Sequence, residues 1–390
     1  MKIIFISNYY THHQSELSTA IADRSDVEFY FIETEPMEEE RRNMGWELES
    51  KPAYVIDSVF YEKNMELCQK WIDEADIVIH GSAPTALLEN RMKNDRITFL
   101  YSERIYKKKP PAYKIPIHFF RFRKRYRRRR NLYMLCSSAY TAADFAKTYM
   151  FLQHTYKWGY FPKLYSYSEP CGVIDQKKKN SILWVARMIT WKHPEAAIAV
   201  AKRLKQEGYQ FCLYMIGNGE LAESLQVKVN EEGLESCVYM LGSMKPAEVR
   251  DYMEKSEIFL FTSDRKEGWG AVLNEAMNSA CAAVASHAIG AAPFLIQDGQ
   301  NGFIYQDGNI EELYQKTKWL LDHPAERKQF GEKAYQTISK EWNAKKAADK
   351  FIQLCYRVLS GKESPDLYAE GVCSRAEILK DNWYQNEKNH

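Results

Sequence analysis

A two-domain α/β fold with parallel sheets is what this sequence predicts, on three observations. Short apolar runs alternate with helical patterns along the whole chain, the signature of strands joined by helical crossovers. The alternation occurs twice, broken by a polar, irregular stretch after Pro162, LYSYSEPCGVIDQKKKN. A length of 390 residues is long for one core and comfortable for two.

In the first half the pattern predicts strands at Lys2–Ser7, Val27–Ile32, Asp76–His80, Ile97–Tyr101 and Tyr133–Ser137. Helices are predicted between them at Ser15–Ala22, Met65–Asp73 and Thr85–Lys93. Asp76 sits at a helix-to-strand junction and reads as structural. The second half predicts strands at Ile182–Ala186, Phe211–Gly217, Val238–Leu241, Glu257–Ser263, Ala282–Ser286 and Gly302–Tyr305. Its helices are predicted at Pro194–Lys205, Ala247–Glu254 and Ala271–Ser279, with Pro194 in a first turn where its missing N–H costs nothing. Both halves read as Rossmann-like. Ligands of such sheets lie beyond the carboxyl ends of the strands, so two halves suggest a cleft between them. The expected domains are 1–165 and 175–359, with the segment of about 360–390 crossing back to the first.

Composition excludes some function classes. Hydrophobic residues at 45% and charged residues at 27% are globular values, which argues against wholesale disorder. A net charge of +2 argues against a dedicated nucleic-acid binder. Eight cysteines without a CxxC pair fit reduced thiols better than a disulfide frame or a zinc site. The apolar run of MKIIFIS is too short for a signal peptide, and no apolar stretch approaches 18 residues. A cytoplasmic protein is expected.

The strongest chemical signal is EGWGAVLNEA, from Glu267 to Ala276. It follows an apolar strand and opens a helix. Gly268 and Gly270 permit a sharp turn, and the free N–H groups near Gly270, Ala271 and Val272 make an anion site. Glu275, further into the helix, suits a pair of vicinal hydroxyls. Glu267, in the loop, suits a sugar hydroxyl better than a phosphate. In isolation the same pattern is an ordinary turn and a capped surface helix. Its companions strengthen the functional reading. Arg187 follows the first strand of this half and Lys192 comes five residues later, two cations fit to neutralise a diphosphate. Gly217 ends the next strand, and Leu241 and Gly242 offer main-chain groups to a base.

The order and spacing of WVARM…WK, YMIGNGE, VYMLG, EGWGAVLNEA and DGQNGFIY resemble the retaining glycosyltransferases of family four, which have the GT-B fold. The resemblance covers about residues 181–356 well and the first half more loosely. It implies that Arg187 and Lys192 hold a donor diphosphate together with the N–H groups of Gly270, Ala271 and Val272. It further implies that Glu275 binds the ribose, Glu267 the transferred sugar, and that the base rests near Leu241 and Gly242. The donor would be a UDP- or GDP-sugar, with no cofactor and no metal, and with retention by front-face attack.

The first half should then hold the acceptor, a glycan or lipid-linked glycan. After its first strand, where many relatives carry a glycine-rich loop, this chain has Tyr9, Tyr10, His12 and His13. His80 ends another strand. Relatives often have a histidine after the strand that follows; here Ser102, Glu103 and Arg104 stand instead, which makes Glu103 the candidate facing the acceptor and leaves that role open. KWGYFP, from Lys157 to Pro162, resembles a cleft-side turn of polysaccharide-building relatives.

From Arg104 to Arg130 the chain carries 13 Lys or Arg among 27 residues, with Tyr113, Phe119, Phe120, Phe122 and Tyr126 interleaved. A solvated or acceptor-phosphate face, a nucleic-acid patch and a membrane-surface helix all suit this charge. Aromatics among cations favour an anionic membrane surface, centred on Arg121–Arg130, at the inner face of the cell membrane. No binding module accompanies the block to support nucleic acid. The expectation is a metal-independent glycosyltransferase of cell-surface polysaccharide synthesis. The alternative is an inactive relative of the same fold serving as a membrane- or partner-binding scaffold.

Overall fold

Runs of Ile, Val, Leu and Phe build two separate sheets, each parallel throughout, in a computed structural model that describes residues 1–39, 42, 48, 50–108, 110–111, 113–126, 130–167, 170–361 and 367–387. The strands of the first sheet are β1 (Lys2–Ser7), β2 (Glu28–Glu33), β3 (Val55–Ile56), β4 (Ile77–His80), β5 (Thr98–Ser102), β6 (Leu132–Cys136) and β7 (Thr155–Lys157). Their order is β3-β2-β1-β4-β5-β6-β7. The second sheet contains β8 (Ser181–Val185), β9 (Cys212–Ile216), β10 (Val238–Gly242), β11 (Ile258–Phe261), β12 (Ala282–Ser286) and β13 (Gly302–Tyr305). Its order is β10-β9-β8-β11-β12-β13. Each order reverses once, between β1 and β4 and between β8 and β11. At such a point the connections leave in opposite directions and open a crevice beyond the strand ends.

The predicted strands occur within a residue or two of their expected bounds. β3 and β7 carried no signal, because two- and three-residue strands are too short for a period. The Thr85–Lys93 helix divides into a 3₁₀ turn, Thr85–Leu88, and an α-helix, Glu89–Lys93. Asp76 is structural: its carboxylate accepts the Lys2 N–H at 2.8 Å.

The chain forms two compact units, Met1–Lys163 with Trp342–Lys380, and Leu164–Glu341 with Asp381–His390. The return to the first unit therefore starts at Trp342, earlier than the 360 expected. The Ala344–Leu359 helix is amphipathic and buries Ala347, Phe351, Ile352, Cys355 and Val358 in the first unit. The Phe351 ring lies 5.0 Å from Phe99 and 5.5 Å from Trp158. Arg24 pairs with Asp349 at 2.8 Å. That helical period continues the pattern of the second half, so sequence alone assigns it there. The last residues go back to the second unit, where Tyr384 donates to the Ile304 carbonyl at 2.5 Å.

The KWGYFP turn divides its roles. Trp158 and Phe161 are core residues rather than cleft residues. Arg104 leaves the basic block: it is buried, 3.4 Å from Asp144 and 4.8 Å over the Tyr140 ring. Arg127, Arg128 and Arg129 lie outside the described residues. The neighbouring Lys114–Tyr126 segment is a helix whose His118, Phe122 and Tyr126 pack inward. Its opposite face exposes Ile117, Phe120, Arg121, Lys124 and Arg125.

Candidate functional site

In the second unit the reversal of strand order falls between β8 and β11, and the predicted donor-side residues collect at that end of the sheet. Trp184 in the core donates from Nε1 to Thr262 Oγ1 at 2.8 Å, and that hydroxyl donates to the Lys192 carbonyl at 2.7 Å. This chain of bonds fixes the 3₁₀ turn Thr190–Lys192 beside the end of β11. The Lys192 ammonium lies 4.3 Å from the Trp191 ring centroid and ends on the Glu267 carboxylate. Both side chains are largely enclosed, 12% and 13% exposed. Arg187, just past β8, is exposed, and among the described residues no hydrogen bond or ion pair ties its guanidinium.

The loop after β11 is built to hold a shape. Asp264 accepts the N–H groups of Lys266 and Glu267 at 2.7 and 3.0 Å, through its side chain and its carbonyl respectively. Trp269 is fully buried and donates to Asn274 at 2.8 Å. Gly270 stands at φ +94°, and a Cβ there would meet Phe261 at 2.6 Å. Only glycine fits both the backbone and the space. The helix Ala271–Asn278 starts next, with no side chain capping it. The N–H groups of Ala271 and Val272 precede the first intrahelical bond, from Leu273 to Gly270. They form the positive end of the helix.

Glu275 lies half-buried in this helix. Burial pushes its carboxyl up to about 7, against the pull of the Arg250 guanidinium. Arg250 donates to the Glu275 carbonyl, Ser279 Oγ and Asn278 Oδ1 at 2.8, 2.5 and 2.5 Å. The buried Lys177 ammonium donates to the carbonyls of Met253, Ser256 and Ser279 at 3.0, 2.7 and 2.8 Å. Two cations therefore satisfy the carbonyl end of the helix while its amide end stays uncapped. Neither was singled out from sequence, because nothing in PAEVRDY or DQKKKN distinguishes these cations from solvated ones.

Gly217 and Gly242 meet through a Gly217 N–H to Gly242 carbonyl bond of 2.8 Å. A Cβ on Gly217 would lie 1.8 Å from the Ala186 carbonyl oxygen, so this glycine is required for strand-end packing whatever binds there. The pairing of β10 with β9 slips between Met240 and Gly242. Leu241 is thus left out of the register.

The first unit has its own opening at the β1/β4 reversal, a cavity of about 270 Å³. Of the expected acceptor residues, Glu103 lines it. Tyr160 donates to Glu103 at 2.7 Å, and Lys107 pairs with the other carboxylate oxygen at 2.8 Å. His13 stands behind, its ring stacked on Tyr160 at 5.5 Å and tilted against His12 at 4.0 Å. Burial pushes His13 down to about 3 and His80 down to about 4, so both are neutral at pH 7. His12 and His80 do not line the cavity. Ser7, Gln14, Ser82, Ser137 and Tyr160 do: Tyr160 belongs to the KWGYFP turn expected at the cleft and Ser82 to the strand end after His80, whereas Ser7, Gln14 and Ser137 were not singled out from sequence.

Residues 173–337 match the family described as glycosyl transferases group 1. The chain is similar to a trehalose synthase of Pyrococcus horikoshii, 33% identical over 107 residues, which are 27% of this chain and 25% of that protein. It is also similar to an uncharacterized glycosyltransferase of Methanocaldococcus jannaschii, 29% identical over 193 residues and 48% of each chain. The match thus spans between a quarter and a half of these relatives' lengths. Among solved structures it resembles Anabaena HepE in complex with UDP, with a TM-score of 0.64 at 15% identity, covering 93% of this chain and 100% of that one. The chain therefore has the GT-B fold, and its match to the glycosyl transferases group 1 family lies within the second of its two units.

Proposed function

We propose that this chain is a glycosyltransferase that takes a sugar from a UDP- or GDP-sugar and delivers it to a glycan or lipid-linked glycan with retention of configuration. One observation carries the reading. At the β8/β11 reversal two cations, Arg187 and Lys192, accompany an uncapped helix N-terminus at Ala271 whose far end is neutralised by Arg250 and Lys177. That constellation suits a diphosphate leaving group, whose growing negative charge is the main electrostatic demand of the reaction.

In this reading Arg187, Lys192 and the N–H groups of Gly270, Ala271 and Val272 receive the diphosphate. Glu275 accepts the ribose hydroxyls. Leu241 and Gly242 meet the base, and Glu267 orients the sugar, exchanging its contact with Lys192 for a sugar hydroxyl. The acceptor hydroxyl attacks the anomeric carbon on the face the diphosphate leaves, and its proton passes to a departing phosphate oxygen. The cations that stabilise departure thus do the work, with no protein nucleophile and no metal. HepE, whose structure contains UDP, supports the nucleotide class.

Cell-surface polysaccharide synthesis is the setting proposed, with docking to the inner face of the cell membrane. The exposed face of the Lys114–Tyr126 helix supports this through Ile117 and Phe120 beside Arg121, Lys124 and Arg125. Among the described residues no helix is long and apolar enough to cross a membrane. Thermal shift against a panel of nucleotide sugars, followed by donor hydrolysis, tests the proposal. Stabilisation by a UDP- or GDP-sugar with release of the nucleotide is expected. An inactive scaffold would release none.

A further inference from the structure

His193 stands where neither its backbone nor its helix favours a histidine. It precedes the Pro194–Gln206 helix at φ +49° and ψ +52°, the left-handed region that side chains enter at a cost. Pro194, the next residue, biases it toward extended backbone instead. A Ser, Thr, Asp or Asn at this position would cap the helix, whereas the imidazole caps nothing among the described residues. What suits a histidine here is what its ring touches.

The ring spans two elements. Nδ1 donates to Glu195 Oε1 at 2.9 Å, in the first turn of that helix. Nε2 lies 3.9 Å from Asp264 Oδ2, in the loop after β11. The bond to Glu195, with the charges of Asp307 and Asp264, holds the imidazole above its usual value, although burial opposes it. In its protonated form the ring presents an N–H on each side and so attracts both carboxylates at once.

Asp264 carries that attraction into the loop. Its Oδ1 accepts the Lys266 N–H at 2.7 Å, and its carbonyl accepts the Glu267 N–H at 3.0 Å. Its own N–H donates to the Trp191 carbonyl at 3.0 Å, which sets the loop against the turn that carries Lys192. His193 therefore adds a second tie between the Lys192 turn and the Glu267 loop. Lys266 Nζ, 3.8 Å from the same Asp264 oxygen, shares that carboxylate. Loss of His193 should loosen the loop rather than free it.

We infer that His193 is a positioning residue: its strained backbone places the ring where it holds Asp264, and through Asp264 the Lys266–Glu267 segment, in register with Lys192. Its effect on turnover rests on the donor-site reading proposed above.

Three variants separate backbone from side chain. His193→Gly relieves the backbone and removes the ring. His193→Asn tolerates the left-handed region and reaches Glu195 but not Asp264. His193→Gln puts an amide N–H near the place of Nε2 and keeps the reach to Asp264. The full chain is measured by hydrogen exchange over residues 264–270, by donor turnover, by melting, and by calorimetry with UDP and GDP. His193→Gly and His193→Asn should melt at or above the wild-type temperature, by up to about 4 °C. Their 264–270 amides should nevertheless exchange about three- to tenfold faster, and turnover should fall by about the same factor. UDP and GDP affinity should stay within about twofold, because Arg187, Glu275 and the amide end of the Ala271–Asn278 helix are untouched. His193→Gln should recover most of both losses. A lower melting temperature without faster exchange at 264–270 would make His193 merely structural and overturn the inference. So would wild-type turnover in His193→Gly and His193→Asn, or a loss in His193→Gln equal to theirs. Faster local exchange that His193→Gln restores, in a protein that neither binds UDP or GDP nor hydrolyses a nucleotide sugar, would uphold the clamp and overturn the transferase reading.

Discussion

Lys192 rests its ammonium on the Glu267 carboxylate, so the two residues expected to serve different parts of the donor neutralise each other. In the proposed reading, donor binding redistributes this pair. A contact to an ionised phosphate is worth about 1.5–3 kcal/mol, so Lys192→Ala and Arg187→Ala should each slow transfer by about 10- to 150-fold. Lys192→Ala also leaves Glu267 unpaired beside the phosphates. Adding Glu267→Gln to it should therefore cost less than the sum of the single losses. Initial rates for the four members of the cycle check this; strictly additive losses would show that the two residues are not coupled in the reaction.

The two glutamates should separate by assay. Glu275→Ala should weaken binding of free UDP or GDP, whereas Glu267→Ala should leave that affinity nearly intact and reduce turnover. Calorimetry with the nucleotide and steady-state rates distinguish them. Equal loss of nucleotide affinity would contradict the assignment.

Burial raises the Glu275 carboxyl to about 7, so the protonated form is favoured in the folded chain. Its contribution to stability is full below the usual value of 4.5 and is lost as pH rises through 7. Glu275→Gln, which cannot ionise, should melt close to wild type at pH 5 and above it at pH 8. At about 1.4 kcal/mol per unit, the difference has an upper bound of about 3.5 kcal/mol. Nucleotide affinity should move the other way. The ribose hydroxyls donate to the carboxylate, so wild type should bind more tightly as pH rises from 6 to 8, a dependence that Glu275→Gln should lose. Parallel pH profiles of melting and affinity would reveal either failure.

The fold was legible because strands such as Lys2–Ser7 and Ala282–Ser286 are apolar runs bounded by turns, a signal that lies within six residues. The candidate donor-side residues could be singled out from the order and spacing of Arg187, Lys192 and EGWGAVLNEA along the chain. What escaped depends on distant partners. The Ala344–Leu359 helix has the same period whichever unit it covers, and only the Phe351 contacts with Phe99 and Trp158 decide. Arg104 reads as one of a run of cations until Asp144 is seen beside it. Ser137 is an ordinary strand-end serine in the sequence, and becomes a site residue only through the cavity that three other strands enclose with it.

Gly270 is the position at which the loop tolerates least. An alanine would hold a left-handed φ at a cost of about 1–2 kcal/mol and also push on Phe261. Gly270→Ala should lower the melting temperature and, by shifting the Ala271 and Val272 amides, reduce donor hydrolysis more than its stability loss accounts for. Measurement well below the melting point separates the two effects. A variant that melts early but turns over normally would remove these amides from the donor site.

Activity should survive chelation. The proposed diphosphate site supplies Arg187, Lys192 and a helix amide end where other transferases use a divalent cation. Donor turnover measured with and without EDTA should agree. Complete loss, restored by magnesium or manganese, would reject the metal-free reading.

The Lys114–Tyr126 helix gives the membrane proposal its test. Tyr113, Ile117 and Phe120, exposed at 68%, 60% and 68%, follow one another at helical spacing. Lys114, Arg121, Lys124 and Arg125 are exposed around them. At about 1 kcal/mol per cation near an anionic leaflet, these four contribute about 4 kcal/mol, and insertion of Ile117 and Phe120 adds to it. Binding to anionic vesicles should therefore be reversible and should weaken as salt shortens the Debye length. Replacing Lys114, Arg121, Lys124 and Arg125 with Ser should abolish that binding. The melting temperature should stay close to wild type, because His118, Phe122 and Tyr126 on the inner face are untouched. Ile117→Ser with Phe120→Ser should weaken binding while preserving its salt dependence. Cosedimentation with anionic and neutral vesicles at low and high salt decides the matter. Equal binding to neutral vesicles, or none to anionic ones, would return this face to solvent or to the phosphate of an acceptor.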